Sequence, residues 1–330
     1  MEGEPEAPHV LIFPLPFQGH INSMLKLAQL LSLAGITVTF LNTPHSHRQL
    51  THHSDVLLRF SRFPAFRFRT ITDGLPPDHP RSYDFFPDIV ASFETVTKPI
   101  LRDFLVSGHF GSDLTCAILD GFFKFLVDAE DAEIKIPVFG FRTVSACSIW
   151  TYLSVPRLIQ DGQLPIRGEE DMERMIRNVP GMENLLRCRD LPGFCRVTDM
   201  NDYLLQFIVK QTQRSHEFHS LILNSFQDLE GPILEKIRTL CPSLYAIGPL
   251  HALLKAKFPS ETESLNNLWE DVCDRGTVAK MVNELMVDRK EEFMRSAAEM
   301  ANLAKQSVSP GGSSCADFDR LLQDIRLLSQ

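Results

Sequence analysis

The chain has 330 residues, 44% of them hydrophobic and 23% charged, with a formal net charge of −9 at pH 7. These values are typical of a globular protein with length for roughly two domains, and the acidity disfavours nucleic acid or an anionic membrane surface as a partner. No apolar run reaches the ~18 residues that a membrane-spanning helix needs. Seven cysteines without a CxxC pair fit a complete disulfide framework poorly, so we expect reduced thiols and a cytoplasmic protein.

The start of the chain predicts a strand, a loop and a helix. Residues 1–7 are acidic, unlike a signal peptide, and we expect them to be disordered. The apolar run 10–13, bounded by prolines, predicts a buried strand, and the Pro/Gly segment 14–19 predicts a loop. Apolar residues three or four apart over 21–34 predict an amphipathic helix. His20 therefore lies at the sheet edge where parallel sheets bind ligands, and a histidine there can accept a proton at neutral pH.

Strands and helices then alternate along the chain. Apolar or alternating runs predict strands over residues 37–41, 66–71, 114–119, 137–141, 220–224 and 244–247. Helical periodicity falls between them, over residues 84–107, 143–153, 203–215 and 231–240. Residues 155–200 are rich in Pro and Gly and predict a loop with short helical pieces. This alternation predicts a doubly wound α/β domain with a parallel sheet over residues 8–250.

Four histidines lie close together, at positions 45, 47, 52 and 53. A histidine cluster is one signature of metal binding, but this tract has no carboxylate pattern and no H-x-x-x-H on a clear helix. We therefore expect a solvated loop here and no metal site.

After the last predicted strand the pattern changes. Residues 251–273 are polar, with Pro and Ser, and predict a linker. Residues 274–330 predict only helices, with apolar stripes over 278–286 and 293–304 and a final helix over 318–328. A stripe left in water forfeits about 1.5–3 kcal/mol per apolar side chain. These helices must therefore dock on the rest of the chain, pair with another chain or stay mobile.

Eight short motifs occur in an order and spacing that belong to one family. They are F-P-L-P-F-Q-G-H-I-N at 13–22, D-G-L-P at 73–76, D-G-F at 120–122, V-P-G-M at 179–182, R-D-L-P at 189–192, N-S-F-Q-D-L-E at 224–230, I-G-P-L at 247–250 and G-G-S-S at 311–314. Together they resemble plant family-1 UDP-glycosyltransferases, and most of all those that glucosylate small terpenoid acids. The resemblance implies the N-terminal Rossmann-like half of a GT-B fold.

The resemblance also implies a reaction, the inverting transfer of glucose from UDP-glucose to a hydroxyl or carboxyl of a small lipophilic terpenoid, iridoid or phenolic metabolite. His20 matches the family's general base and Asp120 the residue that orients it; both follow strands of one sheet, so they can meet. Taken alone, His20 also fits a packing residue at a helix start, and Asp120 a helix N-cap. Gly19 matches a donor contact. The acceptor cleft maps onto Phe17, Gln18, Phe122, Thr143, Met182, Leu185 and Phe194.

The resemblance is interrupted after the linker. Family members continue with a second Rossmann-like domain that carries an H-C-G-W-N-S box for the UDP-sugar. Here Trp269-Glu270 runs directly into Asp271-Val272, and neither tryptophan of the chain, Trp150 or Trp269, lies in such a box. The sequence thus predicts an acceptor domain (8–250), a linker (251–273) and a helical remnant of the donor domain (274–330).

We accordingly expect no bound cofactor and little transfer activity from this chain alone. The alternative is a non-catalytic fragment, from splicing or misprediction, that binds a small molecule or pairs with a partner through its C-terminal helices. The sequence has no GxGxxG, Walker loop, GxSxG or zinc spacing, so nothing beyond the fold supports a dehydrogenase or a hydrolase.

Overall fold

A computed structural model of the protein describes residues 7–53, 55–107, 114–127, 131–259 and 290–329. Seven strands form one parallel sheet: β1 His9–Phe13, β2 Thr37–Asn42, β3 Phe66–Thr70, β4 Cys116–Asp120, β5 Val138–Arg142, β6 Ser220–Leu223 and β7 Leu244–Ala246. The predicted α/β class with a doubly wound parallel sheet is confirmed.

The strand order is β3-β2-β1-β4-β5-β6-β7. The chain therefore builds outward in one direction from β1 to β3 and in the other from β4 to β7, and the direction switches between β1 and β4. Leu11 pairs with Thr39 of β2 on one side and with Ala117 of β4 on the other. Open α/β sheets bind ligands at this switch point, beyond the carboxyl ends of the strands, which here are Phe13 and Asp120.

Eleven α-helices lie in the described ranges. They are α1 Gln18–Leu33, α2 Pro44–His53, α3 Val56–Ser61, α4 Phe86–Ser92, α5 Lys98–Ser107, α6 Ala146–Gln160, α7 Tyr203–Gln213, α8 Gln227–Leu240, α9 Leu250–Lys257, α10 Lys290–Val308 and α11 Ser313–Leu327. Helices cover both faces of the sheet, so β1, β4 and β5 are buried along their whole length. This double burial explains why these strands are almost continuously apolar.

Two apolar cores result, one on each face. Leu11, Phe13 and Leu119 pack with side chains of α4 to α8, on the face that also carries the long loop before α7. Val10 and Ile12 point to the opposite face and pack with α1, α9 and α11. The alternation along β1 thus assigns neighbouring residues to opposite cores.

Several element boundaries differ from the predictions. The segment predicted as a histidine-rich loop is helix α2, because Pro44 occupies its first turn, Thr43 Oγ1 accepts a hydrogen bond from the Ser46 N–H (3.1 Å), and Leu50 is buried. The first residues of the predicted linker form α9, whose Leu253 and Leu254 are buried in the second core.

Two further helices differ from the predicted ones in where they begin or where they are interrupted. α1 begins at Gln18, inside the predicted loop, and the predicted helix over 84–107 is interrupted by the π-helical turn Phe93–Thr97 just before Pro99. The π turn accommodates the proline, which cannot donate a backbone hydrogen bond inside an α-helix.

The final helix docks on the sheet. Phe318, Leu321 and Ile325 of α11 are fully buried in the second core, and the Tyr245 hydroxyl donates to Asp324 Oδ2 (2.5 Å). Among the three outcomes open for this helix, docking on the rest of the chain is the one observed. No strand follows Ala246 within the described ranges.

α10 is different, because it exposes apolar side chains. Met294 and Met300 are 61% and 44% exposed, and pairing of this helix with another chain stays a prediction. The predicted disorder of residues 1–6, the stripe over 278–286 and the join at Glu270–Asp271 lie outside the described residues. Of the helices the structure describes, none has the length and apolarity needed to cross a membrane.

Candidate active site

His20 stands in the first turn of α1, directly beyond β1. Phe17 precedes the helix in an extended conformation (φ −114°, ψ 144°), and its carbonyl accepts the His20 backbone N–H (3.0 Å). The imidazole is 11% exposed and its Nδ1 lies 2.5 Å from Asp120 Oδ2. The strand–loop–helix connection thus brings the histidine to the carboxyl end of β4, as the topology allowed.

Asp120 is the last residue of β4, and its carboxylate is surrounded by donors. Besides His20 Nδ1, it accepts the backbone N–H of Leu15 (3.3 Å) on Oδ2 and that of Phe122 (3.1 Å) on Oδ1. Its side chain is 2% exposed. Since an ionised carboxylate only accepts hydrogen bonds, Nδ1 carries a proton, and in the neutral imidazole Nε2 then keeps its lone pair.

Thr143, which follows β5, lies on the same ring nitrogen. Its Oγ1 is 3.3 Å from His20 Nδ1, so the N–H is shared between a short bond to Asp120 and a longer one to the threonine hydroxyl. Residues from the ends of β1, β4 and β5 therefore meet on one imidazole. The arrangement fixes the ring and its tautomer and presents Nε2 as a base.

An aromatic wall, formed by Phe17, Tyr83, Phe122 and Phe194, flanks this pair. The Phe17 and Tyr83 rings are parallel, with centroids 4.2 Å apart and an interplanar angle of 7°. The Phe122 ring lies 6.1 Å from the His20 ring, and Phe194 lies 6.2 Å from Tyr83. Burial, with a smaller contribution from the negative charge of Asp120, raises the pKa of Tyr83.

Phe17, Phe122 and Phe194 were predicted from the sequence to line the acceptor cleft, whereas Tyr83 was not. This residue sits in a short 3₁₀ turn, Tyr83–Phe85, just before α4. Its position one residue ahead of the predicted helix over 84–107, and after the D-G-L-P turn, was the only available signal.

Arg142, the second residue missed, supports the wall from behind. It ends β5 and is 1% exposed, and its guanidinium lies 4.3 Å from the centre of the Phe122 ring. It donates to the carbonyl oxygen of Gly121 (3.3 Å) and to Thr212 Oγ1 (3.0 Å). Burial lowers the pKa of Arg142 to about 10, although the charge of Asp120 opposes that shift. An arginine at the end of a strand is normally exposed to solvent, so its burial could not be predicted from the sequence.

Gly121 is needed for this arrangement. A Cβ atom at this position would lie 2.1 Å from Arg142 Cδ, inside van der Waals contact with a side chain that is itself buried. The D-G-F motif thus combines a carboxylate, a close approach to Arg142 and an aromatic ring in three consecutive residues.

The other predicted site residues lie elsewhere. Gln18 lines a cavity of about 220 Å³ between α1 and α2, whose lining includes Asn22 and His45 but not His20. Gly19 is exposed at the start of α1. Met182 is buried in the first core and Leu185 is 70% exposed on the long loop. Among the described contacts none joins these two residues to His20, and their acceptor role stays a prediction. No group of metal-ligating side chains occurs in the part of the chain that the structure describes.

The chain is similar to known proteins. A family model for the glycosyltransferase N-terminal domain matches residues 6–161. A 7-deoxyloganetic acid glucosyltransferase of Catharanthus roseus is 46% identical over 283 residues, covering 82% of this chain and 58% of that protein. A myricetin 3-O-rhamnoside 1,2-glucosyltransferase of Crocosmia x crocosmiiflora is 38% identical over 324 residues, covering 92% of this chain and 67% of that protein.

Solved structures share the fold. LpCGTa in complex with UDP superposes with a TM-score of 0.70 at 17% identity, covering 97% of this chain and 99% of that one. A UDP-glucose:anthocyanidin 3-O-glucosyltransferase in complex with UDP gives a TM-score of 0.59 at 19% identity, covering 84% and 57%. The chain spans less than three fifths of the length of the two Catharanthus roseus 7-deoxyloganetic acid glucosyltransferases that it matches. The chain belongs to the plant UDP-glycosyltransferase family.

Proposed function

We propose that this chain supplies the acceptor-binding, proton-accepting half of a glucosyl-transfer site. The observation that carries the proposal is the His20–Asp120 contact, which engages Nδ1 of a nearly buried imidazole and leaves Nε2 available as the basic atom of the neutral ring, beside an aromatic wall. Such a nitrogen suits the removal of a proton from a hydroxyl held against that wall.

The chemistry follows from the tautomer. The acceptor O–H gives its proton to His20 Nε2 while its oxygen forms a bond to C1 of glucose, and the bond from C1 to the UDP oxygen breaks with inversion. The electron pair of the broken C1–oxygen bond leaves with UDP. UDP-glucose is thus a co-substrate and UDP a product, and neither is a cofactor that stays bound. Asp120 then stabilises the imidazolium that forms. A well-placed general base contributes about 10²–10⁴ in rate.

The acceptor class follows from the wall. Aromatic rings line the space beside His20, namely those of Phe17, Tyr83 and Phe122. Such a surface favours a small ligand with a flat apolar body and one hydroxyl or carboxyl. One relative is named for 7-deoxyloganetic acid and another for (R)-mandelonitrile, both of them small molecules. We therefore propose a terpenoid, iridoid or phenolic acceptor, with UDP-glucose as the donor.

The chain offers fewer residues for binding UDP-glucose than for binding the acceptor. Gly19 is assigned to it only through the resemblance, and the printed sequence lacks the Trp- and His-containing box that holds UDP-sugars in the family. Loss of one hydrogen-bond donor that stabilises the negative charge developing on the leaving group lowers the reaction rate about 10²–10³-fold. We therefore expect the chain alone to bind acceptors but to transfer glucose very slowly. The six described cysteines are all free thiols, which supports a cytoplasmic location.

The test uses the full 330-residue chain. Titration calorimetry with 7-deoxyloganetic acid, (R)-mandelonitrile and myricetin 3-O-rhamnoside measures acceptor binding, and mass spectrometry after incubation with UDP-glucose measures transfer. We expect binding of at least one acceptor and only very slow formation of glucoside, which the His20→Ala variant slows further. Rapid glucosylation that His20→Ala abolishes would overturn the half-site account, and absence of binding by all three acceptors would overturn the acceptor role.

A further inference from the structure

The D-G-L-P turn closes around one buried arginine, Arg81. Its Nε and one terminal nitrogen donate to Asp73 Oδ2 and Oδ1, both at 3.1 Å, in a bidentate fork. Both side chains are 5% exposed. A buried ion pair of this geometry specifies one arrangement of the backbone between its partners, since removing either charge leaves the other without compensation.

The remaining donors of Arg81 bind the turn itself. One terminal nitrogen donates to the carbonyl oxygens of Pro76 and His79, both at 2.7 Å, and the other donates to that of Leu75 (3.0 Å). All five guanidinium N–H groups thus have acceptors. Arg81 adopts φ +48°, a left-handed conformation that disfavours a non-glycine residue unless its surroundings hold it there.

The same turn is fastened to the helical segment that follows it. Ser92 Oγ donates to the carbonyl oxygen of Asp73 (2.6 Å), and Thr97 Oγ1 donates to that of Thr72 (2.9 Å). Gly74 has φ +71°, and a Cβ atom there would lie 2.6 Å from Ser92 Oγ. The turn is therefore rigid at both ends, which is unusual for an exposed connection between a strand and a helix.

Tyr83 lies directly after this hydrogen-bonded turn. Tyr83 follows Arg81 by two residues and stacks on Phe17, the residue that precedes the helix carrying His20. Tyr83 is 48% exposed, so much of its ring surface is open although one face is covered. An aromatic face that is fixed on one side and open on the other is a suitable surface for a flat ligand.

We propose that Tyr83 is an acceptor-contacting, specificity-determining residue, and that the Arg81–Asp73 pair is the element that positions it. The pair fixes the turn, the turn sets the Tyr83 ring parallel to Phe17, and the ring bounds the space in front of His20. This inference rests on the proposed acceptor-binding function. It gives the D-G-L-P turn a role in ligand recognition that acts through Tyr83.

The experiment follows the ring of Tyr83 directly. The chain has only four tyrosines, so tyrosine-selective ¹³C labelling of the full chain gives a simple NMR spectrum in which Tyr83→Phe identifies the Tyr83 signal. We expect 7-deoxyloganetic acid to shift that signal and leave the Tyr245 signal in place. Tyr83→Ala should weaken acceptor binding by about 3- to 10-fold, the range for one aromatic partner, whereas Tyr83→Phe should stay within about twofold of wild type.

The positioning role is tested with Arg81→Lys, which keeps the charge but cannot form the five-donor arrangement. We expect it to move the Tyr83 signal in the unliganded protein and to weaken binding to a similar extent as Tyr83→Ala. Should Arg81→Lys not fold, Asp73→Asn gives the same test from the other side of the pair. Tyr203→Ala, a tyrosine of matched exposure (46%), and Arg187→Lys, in an exposed pair with Asp190, serve as controls and should change neither readout.

The outcomes separate this inference from the proposed function. If an acceptor binds but leaves the Tyr83 signal unmoved, or if both pair variants fold with that signal in its wild-type place, this inference is wrong and the half-site survives. If none of the three acceptors binds the wild-type chain, the proposed function is wrong and this inference falls with it.

Discussion

The Nδ1 atom of His20 lies 2.5 Å from Oδ2 of Asp120, although 100 residues separate the two in the sequence. The contact forms because β1 and β4 are neighbours at the switch point and both residues stand at its carboxyl edge. It orients the imidazole, assigns its proton to Nδ1 and leaves Nε2 as the basic atom.

Asp120→Asn is expected to disturb that tautomer. The amide can donate to Nδ1 through its NH₂ group, so the ring proton shifts in part or wholly to Nε2, and the base loses its lone pair toward the acceptor. ¹⁵N NMR of labelled histidine measures this directly, without any need for transfer activity.

His216 provides the internal reference for this measurement. Its Nδ1 lies 2.8 Å from the carbonyl oxygen of Gln213, and none of the described hydrogen bonds joins it to Asp120. Its signals should stay unchanged. An Asp120→Asn spectrum in which His20 keeps a protonated Nδ1 and a free Nε2 would show that the carboxylate does not set the tautomer.

A second prediction concerns Glu230 of the N-S-F-Q-D-L-E motif. Its carboxylate accepts the backbone N–H groups of Ala146 (2.9 Å) and Cys147 (2.8 Å) at the start of α6, and the hydroxyl of Ser225 (2.5 Å). Glu230→Gln replaces one acceptor oxygen with a donor, so we expect a loss of about 1–3 kcal/mol in the free energy of unfolding, measured with urea. Glu235→Gln, an exposed carboxylate on the same helix, should change it by less than about 0.5 kcal/mol.

The effect of Glu230 should depend on pH. Burial alone would raise the pKa of Glu230, but the hydrogen bonds from Ser225, Cys147 and Ala146 outweigh burial and hold it below the usual range. A lowered folded-state pKa gives stability that is present above the unfolded value of about 4.3 and is lost as the pH falls. The difference between wild type and Glu230→Gln should therefore shrink below pH 4; a difference that grows on acidification contradicts this account.

Tyr245 gives a third prediction, at alkaline pH. Burial and the hydrogen bond to Asp324 raise the pKa of Tyr245 to about 12. Because this pKa is raised in the folded protein, the protonated Tyr245 hydroxyl adds to the free energy of unfolding. This contribution is complete below the unfolded-state pKa of about 10 and is lost as the pH rises toward 12. Tyr245→Phe should lower the free energy of unfolding by about 1–3 kcal/mol at pH 7. The variant should also lose less of its stability than wild type between pH 7 and pH 11, because it has no hydroxyl to titrate.

The matched control for Tyr245 is Tyr203→Phe, on the half-exposed surface of α7. Urea unfolding of both variants at pH 7 and pH 11 makes the comparison. If Tyr245→Phe costs no more than Tyr203→Phe at pH 7, the hydroxyl does not hold α11 to the sheet.

A fourth prediction tests the packing behind the site. Gly121→Ala would place its Cβ 2.1 Å from the buried Arg142 Cδ, so either the strand end or the guanidinium must move. We expect a loss of about 1–3 kcal/mol in unfolding free energy, together with weaker acceptor binding because Phe122 shifts. Gly193→Ala, whose new Cβ would have its nearest neighbour at 3.6 Å, should be close to neutral. Equal stabilities of the two variants would argue against a tightly fixed Arg142.

Much of the fold could be predicted because burial determines it. β1, β4 and β5 are covered on both faces, so they are almost continuously apolar, and this pattern is visible in the sequence. The meeting of His20 and Asp120 could be predicted as well, since both follow strands of one parallel sheet. Topology alone brings such residues to a common edge.

The rest depends on contacts that no local pattern encodes. Arg142 ends a strand, where an arginine normally reaches solvent, yet it is buried under Phe122. Tyr83 follows Arg81 by two residues, and Arg81 itself has a left-handed backbone conformation that its contacts with Asp73 and the turn hold in place. The docking of α11 depends on pairs such as Tyr245 and Asp324, which are 79 residues apart. Side-chain partners at such separations are set by the assembled structure.

The most direct test of the account is a titration of ¹⁵N-histidine-labelled chain with 7-deoxyloganetic acid, observed at His20 Nε2. If His20 is the base that faces the acceptor, the bound hydroxyl donates to Nε2, and its signal shifts on saturation while Nδ1 stays protonated and the His216 signals do not move. An acceptor that binds by calorimetry but leaves the Nε2 signal unchanged, or an Nε2 that is already protonated in the free protein, would contradict the account.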